Sequence, residues 1–457
     1  MIKNVAQDLT AFLRPEQVST SASVLAQHGK GESYDEAVLP DAVVYPESTE
    51  EVRRVVEFAY EHGVPVTPVG SNSSLEGHTV PLRGGISLDM GRMDRIVEYS
   101  PQDLLVRVQS AVTYPQINEH ARRDGLFFPV DPGAHASLGG MVSTNASGTA
   151  AVRYGVTADF VLGLEVVTPT GEVIRTGSKS RKSSSGYNLT RLFCGAEGTL
   201  GVITEVTVCL VGLPEAASAA RIPFEDVTAA THFVTTLIQA GVPVARCELI
   251  DPKSIAAVNA HQGTTYPEEM TVFLEFHGNP AGVEAEATLA KELAEEVGAL
   301  GFDSSADPEE RAKLWNARHN TYYANVAANP GRSSVVTDLA VPISKLPEAV
   351  TTSLDLCERE GLTAYLVGHV GDGNFHLAIF FDKEDTAVKE KVGEVSHQLV
   401  KLALRLGGTS TGEHGVGVRK LRYMDEEHGA SLEVMRTLKR ALDPKNIMNP
   451  GKKIPLE

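Results

Sequence analysis

The stretch Val367-Gly-His-Val-Gly-Asp-Gly-Asn-Phe-His-Leu377 carries a fold signal and a chemical one together. Apolar runs at Ala364–Val367 and Phe375–Phe381 flank Asp372-Gly373. Asp-Gly between extended runs predicts a hairpin closed by a two-residue type I′ turn, in which both central residues take φ > 0. Counting outward from that turn, Gly371 faces Asn374, Val370 faces Phe375 and His369 faces His376. Directly opposed residues share a face, with Cβ atoms about 4.5–5.5 Å apart. Two imidazoles so placed can hold one metal ion, and Glu413 in Gly412-Glu-His-Gly415 offers a carboxylate as third ligand. Two histidines and one carboxylate with open positions form a catalytic pattern rather than a closed structural one. The alternative for such a pair is two solvated or hydrogen-bonded histidines beside a turn.

The chain has 457 residues, enough for two or three domains, and its 42% hydrophobic and 22% charged content is that of a globular protein. No run approaches the ~20 apolar residues needed to span a bilayer. A net charge of −18 without a basic cluster argues against nucleic acid as a partner. Cys194, Cys209, Cys247 and Cys357 are scattered and include no C-x-x-C. That pattern implies a reducing compartment, no disulfide framework and no cysteine metal site. The N-terminus has neither the apolar core of a signal peptide nor the Arg-rich character of a transit peptide. A cytoplasmic location is expected, and peripheral membrane association is compatible with it.

Residues 1–30 read as polar and helical, with Leu9, Phe12 and Leu13 as packing points. Ser48-Thr-Glu-Glu51 is a capping box that opens a helix ending at Gly63. A strand at Val64–Pro68 feeds the small-residue loop Val69–His78, whose N–H groups can form an anion-binding nest. Neither the G-x-G-x-x-G nor the P-loop fingerprint is present. Strands are expected at Ile86–Asp89, Ile96–Tyr99 and Leu104–Val108, then a helix at Pro115–Arg123. A second small-residue tract, Asp131–Gly148, is too long for an ordinary linker. A hairpin at Leu162–Thr168 and Glu172–Thr176 follows, then a third tract, Gly195–Gly201, leading into a strand at Val202–Leu210. Three such tracts suggest backbone wrapped around an extended ligand.

Composition changes near Gly212–Glu215. Beyond it, strands (Ala245–Ile250, Thr271–Phe276, Val335–Val341) alternate with helices (Val227–Ala240, Ala281–Val297, Glu309–Ala324, Ser344–Glu360, Thr386–Leu406). The expected architecture is α+β with a mainly antiparallel second-domain sheet. The expected domains are residues 1–212, 213–425 and a C-terminal segment 426–457.

These features resemble the vanillyl-alcohol-oxidase and p-cresol-methylhydroxylase flavoprotein superfamily. The three tracts look like its two-part FAD-binding domain. The hairpin, Gly412-Glu-His-Gly415 and Asn449-Pro-Gly-Lys452 look like the C-terminal substrate domain of its FAD-linked 2-hydroxyacid dehydrogenase branch. Leu314-Trp-Asn-Ala-Arg-His-Asn320, Ser334–Leu346 and Val367–His376 resemble the D-lactate dehydrogenases of that branch that do not use NAD. The resemblance implies noncovalent FAD held at its pyrophosphate by Pro68, Gly70, Ser71, Asn72, Ser73 and Ser74. It implies that Pro132, Gly133, Ser137, Gly140, Thr144, Asn145 and Gly148 line the flavin, and that Glu197, Gly198 and Ile203 complete the adenosine side. Asn449 would return from the tail to the isoalloxazine.

The implied reaction is oxidation of a D-2-hydroxyacid, with D-lactate leading. FAD takes the hydride, and a divalent metal (Zn, Mn or Fe) sits on His369, His376 and Glu413. His414 is the implied general base and Arg318 the implied clamp on the substrate carboxylate, against the alternative of a helix-surface salt bridge. Related 2-hydroxyglutarate dehydrogenases carry a Lys and an Asn where this chain has Val336 and Ala378, which disfavours a second carboxylate. Electrons would pass to an acceptor protein or a quinone, and a homo-oligomer is compatible. Alternatives are the FAD subunit of a glycolate oxidase, a D-2-hydroxyglutarate dehydrogenase, a non-redox flavoprotein like alkyl-dihydroxyacetonephosphate synthase, or a flavin-binding subunit without turnover.

Overall fold

A computed structural model describes residues 5–31 and 36–456. The chain divides into two units: Met1–Ser147, Val156–Leu213 and Glu413–Glu457 form the first, Gly148–Gly155 and Pro214–Gly412 the second. The first boundary falls one residue after the expected one. The last falls at Glu413 rather than 426, for a physical reason. Val416 N and Gly417 N donate to the buried Glu197 carboxylate, and Val418 N donates to Glu76 O, so this stretch is bonded into the first unit. Residues 148–155 join the second unit, where Tyr154 Oη lies 2.9 Å from His277 Nδ1.

The first unit holds two main sheets. In one, Ala42–Val44, Ile86–Asp89 and Val66–Val69 run parallel, with Val18–Ser19 antiparallel on the edge. The crossover helix is Thr49–His62, capped by Ser48 Oγ accepting from Glu51 N and stopped by Gly63 in the left-handed conformation. Its buried Val52, Val55, Val56 and Ala59 face the sheet core, which also takes in Ile447 and Met448 from the tail. The second sheet is antiparallel, in the order Ile96–Ser100, Leu105–Gln109, Val202–Cys209, Val161–Val167, Val173–Gly177. The expected N-terminal helix is instead two, Val5–Leu9 and Ala22–His28, separated at Pro15; residues 1–4 lie outside the described residues.

The second unit is built on an antiparallel sheet. Its order runs Asp303–Ser305, Ala216–Phe224, Met270–Gly278, Val244–Ile250, Thr363–His369, Asn374–Phe381, Ser333–Val336, with Leu339–Ala340 also on Asn374–Phe381. The nine-residue strand Ala216–Phe224 is absent from the sequence expectations. Its Ala- and Ser-rich sequence has weak β propensity, and pairing on both sides overrides that. The helix Pro252–Gln262 is likewise unexpected, although Asp251 caps it, Pro252 starts it and Gly263 ends it. Among the described residues, no helix is long and apolar enough to cross a membrane.

The hairpin corrects the expected turn. Val370–Asp372 form a 3₁₀ turn, and Gly373 alone takes positive φ (82°). The register pairs Val367 with His376 and His369 with Asn374, a shift of two from the predicted ladder. A two-residue slip preserves the face of every side chain, because strands alternate with period two. His369 and His376 therefore remain neighbours, on the diagonal, with ring centroids 5.4 Å apart and planes at 82°. A Cβ on Gly373 would stand 2.1 Å from Val341 O. Gly373→Ala is therefore expected to lower unfolding stability by about 2 kcal/mol or more, the left-handed penalty plus a backbone clash. Urea denaturation with intrinsic fluorescence checks this, and an unchanged midpoint would contradict it.

Candidate active site

In the first unit the three small-residue tracts converge. Ser71 Oγ accepts from Ser137 N at 2.9 Å, and a Cβ on Gly70 would stand 2.5 Å from Ser137 Oγ. Ser137 caps the short helix Leu138–Thr144, which lies inside the second tract. Gly195 N and Glu197 N donate to Val142 O and Ser143 O, tying the third tract to the second. Gly198 lies against the Pro68 ring. Ser74 Oγ and Ser110 Oγ are buried without a hydrogen-bond partner among the described residues. A buried orphan hydroxyl is costly, so these atoms fit a polar ligand lying along the tracts. Pro132 and Gly133 sit in the open loop before Ser137, and Thr144 Oγ1 donates back to Gly140 O. Asn72 holds φ 54°, in the left-handed region, with its Oδ1 accepting from Thr79 Oγ1, and Ser73 is exposed beside it.

Several residues expected at the flavin or the adenosine side also make contacts within the protein. Asn145 takes φ 54° as the helix cap and accepts from Ala158 N. Ile203 packs inside its strand opposite Val166, and Gly148 belongs to the second unit. The Glu197 carboxylate is fully buried and committed to Val416 N, Gly417 N and Lys453, with His78 Nε2 at 3.4 Å. Burial pushes this carboxyl up, but His78, Lys453 and those N–H donors hold it well below the ordinary carboxylate range. Asn449 Nδ2 donates to His78 O and Glu197 O, so it ties the first tract to the third. His414 Nδ1 lies 3.5 Å from Glu76 Oε1, an electrostatic contact longer than a normal hydrogen bond. Glu413 Oε2 accepts from Ser147 Oγ at 2.9 Å.

In the second unit a fully buried carboxylate orients one histidine of the pair, His369. Glu248, on strand Val244–Ile250, takes His369 Nδ1 at 2.8 and 3.0 Å and Arg318 Nε at 2.7 Å. Burial raises its carboxyl, but Arg318 and His369 outweigh that and hold it below the usual range. His376 Nδ1 lies 2.9 Å from Thr337 O, which can only accept, so Nδ1 carries the proton and Nε2 the lone pair. Asp338 Oδ1 and Oδ2 accept from Asn374 Nδ2 and Thr411 Oγ1. Arg318 is buried on Glu248, which removes the surface salt-bridge alternative. Val336 and Ala378 pair directly across the ladder, beside Tyr365 and Phe380. The face running from His376 is thus apolar at both substituted positions.

The family described as FAD binding domain matches residues 40–177, and that described as FAD linked oxidases, C-terminal domain, matches residues 213–453. The chain belongs to the FAD-linked oxidases. It is 41% identical to a probable mitochondrial D-lactate dehydrogenase of Danio rerio, over 100% of this chain and 92% of that protein. It is 38% identical to the mitochondrial D-lactate dehydrogenase [cytochrome] of Arabidopsis thaliana, over 99% and 81%. Its fold matches that of p-cresol methylhydroxylase with a TM-score of 0.80 at 18% identity, over 98% of this chain and 96% of that one. The fold is thus the α+β architecture with a p-cresol-methylhydroxylase-type FAD-binding domain.

Two residues of this FAD-linked oxidase escaped the sequence reading as site residues. Glu248 carries a signal in hindsight, a lone carboxylate within the apolar strand Val244-Ala-Arg-Cys-Glu-Leu-Ile250. Lys452 is the other, buried with Nζ on Asn449 Oδ1 at 2.6 Å. Burial pushes its ammonium down to about 7, against a smaller upward pull from Glu197. The unfolded chain titrates near 10.4, so between those values it binds more protons than the folded apoprotein. Apoprotein stability is therefore expected to rise with pH across that window, and Lys452→Met is expected to flatten the rise. Denaturant titrations from pH 7 to 10 check this; an equal slope in both proteins would contradict it.

Proposed function

We propose that this FAD-linked oxidase oxidises a D-2-hydroxyacid, with D-lactate giving pyruvate, and passes the electrons to a protein or quinone rather than NAD. The observation that carries the reading is the histidine pair. Both rings use Nδ1 toward an oxygen acceptor, Glu248 for His369 and Thr337 O for His376. That arrangement presents Nε2 as the lone-pair nitrogen, as metal-binding histidines do. In this reading His369 and His376 hold a divalent metal, Zn, Mn or Fe, with Glu413 as third ligand. Such a cation would supply Lewis acidity toward the substrate hydroxyl. The three tracts would hold FAD noncovalently, and it would supply the hydride acceptor.

The remaining work falls to side chains of this chain. His414 takes the hydroxyl proton on Nε2, with Nδ1 facing Glu76. Arg318 uses Nε and Nη2 on Glu248, and its Nη1 is directed in this reading to the substrate carboxylate. The apolar pair Val336 and Ala378 offers no partner to a second carboxylate, which supports a monocarboxylate substrate. Four free cysteines support a reducing compartment, and we retain a cytoplasmic placement for this chain, while the two relatives are mitochondrial by name.

Anaerobic visible spectra of the FAD-loaded protein test the proposal, with D-lactate, L-lactate, glycolate and D-2-hydroxyglutarate added separately. Rapid bleaching of the flavin band by D-lactate and none by L-lactate is expected. Preference for glycolate would reassign the substrate, and bleaching by D-2-hydroxyglutarate would overturn the apolar-wall argument. No bleaching by any hydroxyacid, with metal present, would favour non-redox chemistry. His414→Ala is expected to slow bleaching by about 10²- to 10⁴-fold; an unchanged rate would remove His414 as the base.

A further inference from the structure

Glu248 takes no direct part in that chemistry, yet it contacts two residues that do. Its strand pairs with Thr363–His369 through Leu249↔Gly368 and Ile250↔Val367, and one further step along that register sets Glu248 opposite His369. Helix Pro308–His319 brings Arg318 to the same carboxylate. Glu248 Oε1 is 2.8 Å from His369 Nδ1, while Oε2 takes Arg318 Nε at 2.7 Å and Nη2 at 2.5 Å. A carboxylate with no exposed side-chain surface is tolerable only because both oxygens are bonded to donors. The same bonds set two orientations at once. The His369 ring is held with its proton on Nδ1, and the guanidinium is pinned by two of its three nitrogens.

We infer that Glu248 is the positioning residue that joins the metal ligand His369 to the carboxylate-binding Arg318, so that removing its charge weakens metal affinity and substrate affinity together. The inference rests on the metal and Arg318 roles proposed above. A carboxylate on Nδ1–H raises the basicity of Nε2, and loss of such a partner typically weakens metal binding by about 10- to 100-fold. A purely structural ion pair would alter stability without touching either affinity.

The test is Glu248→Gln in the FAD-loaded full chain. Zn²⁺ affinity is measured by competition with a chromophoric chelator, and KM for D-lactate is measured with saturating metal. Expected results are Zn²⁺ affinity weaker by about 10- to 100-fold and a raised KM, with the flavin spectrum unchanged. Zn²⁺ affinity and KM equal to wild type would overturn the inference while leaving the proposed function intact. If the wild type itself binds no Zn²⁺ but His369→Ala leaves D-lactate oxidation unchanged, the metal reading fails instead, and the inference with it. Should the variant not fold, ¹⁵N-resolved histidine NMR of Zn²⁺-loaded wild type decides. A slowly exchanging His369 proton on Nδ1 supports the inference, and one on Nε2 overturns it.

Discussion

A charge removed from water must be answered where it stands, and the second unit is arranged around one such charge, the carboxylate of Glu248. It lies inside the sheet with no exposed side-chain surface. Arg318 from one helix neutralises it, and His369 from the adjacent strand donates a hydrogen bond to it. Breaking such a buried set leaves an uncompensated charge, which typically costs about 3–5 kcal/mol. The arrangement therefore fixes both partners to a degree that a solvated pair could not. Period-two alternation along Asn374–Phe381 then carries the face from His376 to Ala378 and Phe380, so donor nitrogens and an apolar wall adjoin.

The first unit solves a similar problem with Glu197. Its carboxylate is answered by backbone N–H groups of Val416 and Gly417, by Lys453 and by His78. Those partners come from the loop after Val69 and from the C-terminal residues, so one buried charge draws distant segments together. Asn449 adds two side-chain hydrogen bonds from the tail to the first and third tracts. The three small-residue tracts are thus joined to one another and to the tail by polar bonds within the protein. Ser74 Oγ and Ser110 Oγ are buried and lack hydrogen-bond partners among the described residues.

Local signals made much of the fold legible. The Ser48 cap, Gly63 stop and alternating strands depend on neighbours in sequence, and the helix Thr49–His62 and strand Ile86–Asp89 appear where those signals put them. The turn at Asp372-Gly373 was misread because its type depends on the Val341 backbone packed against Gly373, which no local pattern reports. The histidine pairing survived because a two-residue slip does not change face. Ala216–Phe224 was invisible because two neighbouring strands, not its own composition, make it extended. Glu248 was overlooked because a glutamate in a strand ordinarily faces water; Arg318 and His369, distant in sequence, keep it inside. The family resemblance named the tract residues, but not the bonds that two of them make within the protein: Glu197 to Val416 N and Gly417 N, and Asn145 to Ala158 N.

In the proposed function, a Cα–H bond of D-lactate breaks while the histidine pair holds a metal. Stopped-flow reduction of the FAD-loaded protein by D-lactate and by its Cα-deuterated form, before and after chelation and metal return, tests it directly. Slower flavin reduction with deuterium, loss of reduction on chelation and recovery when metal is returned are expected. Reduction that is insensitive to both deuterium and chelation would contradict it.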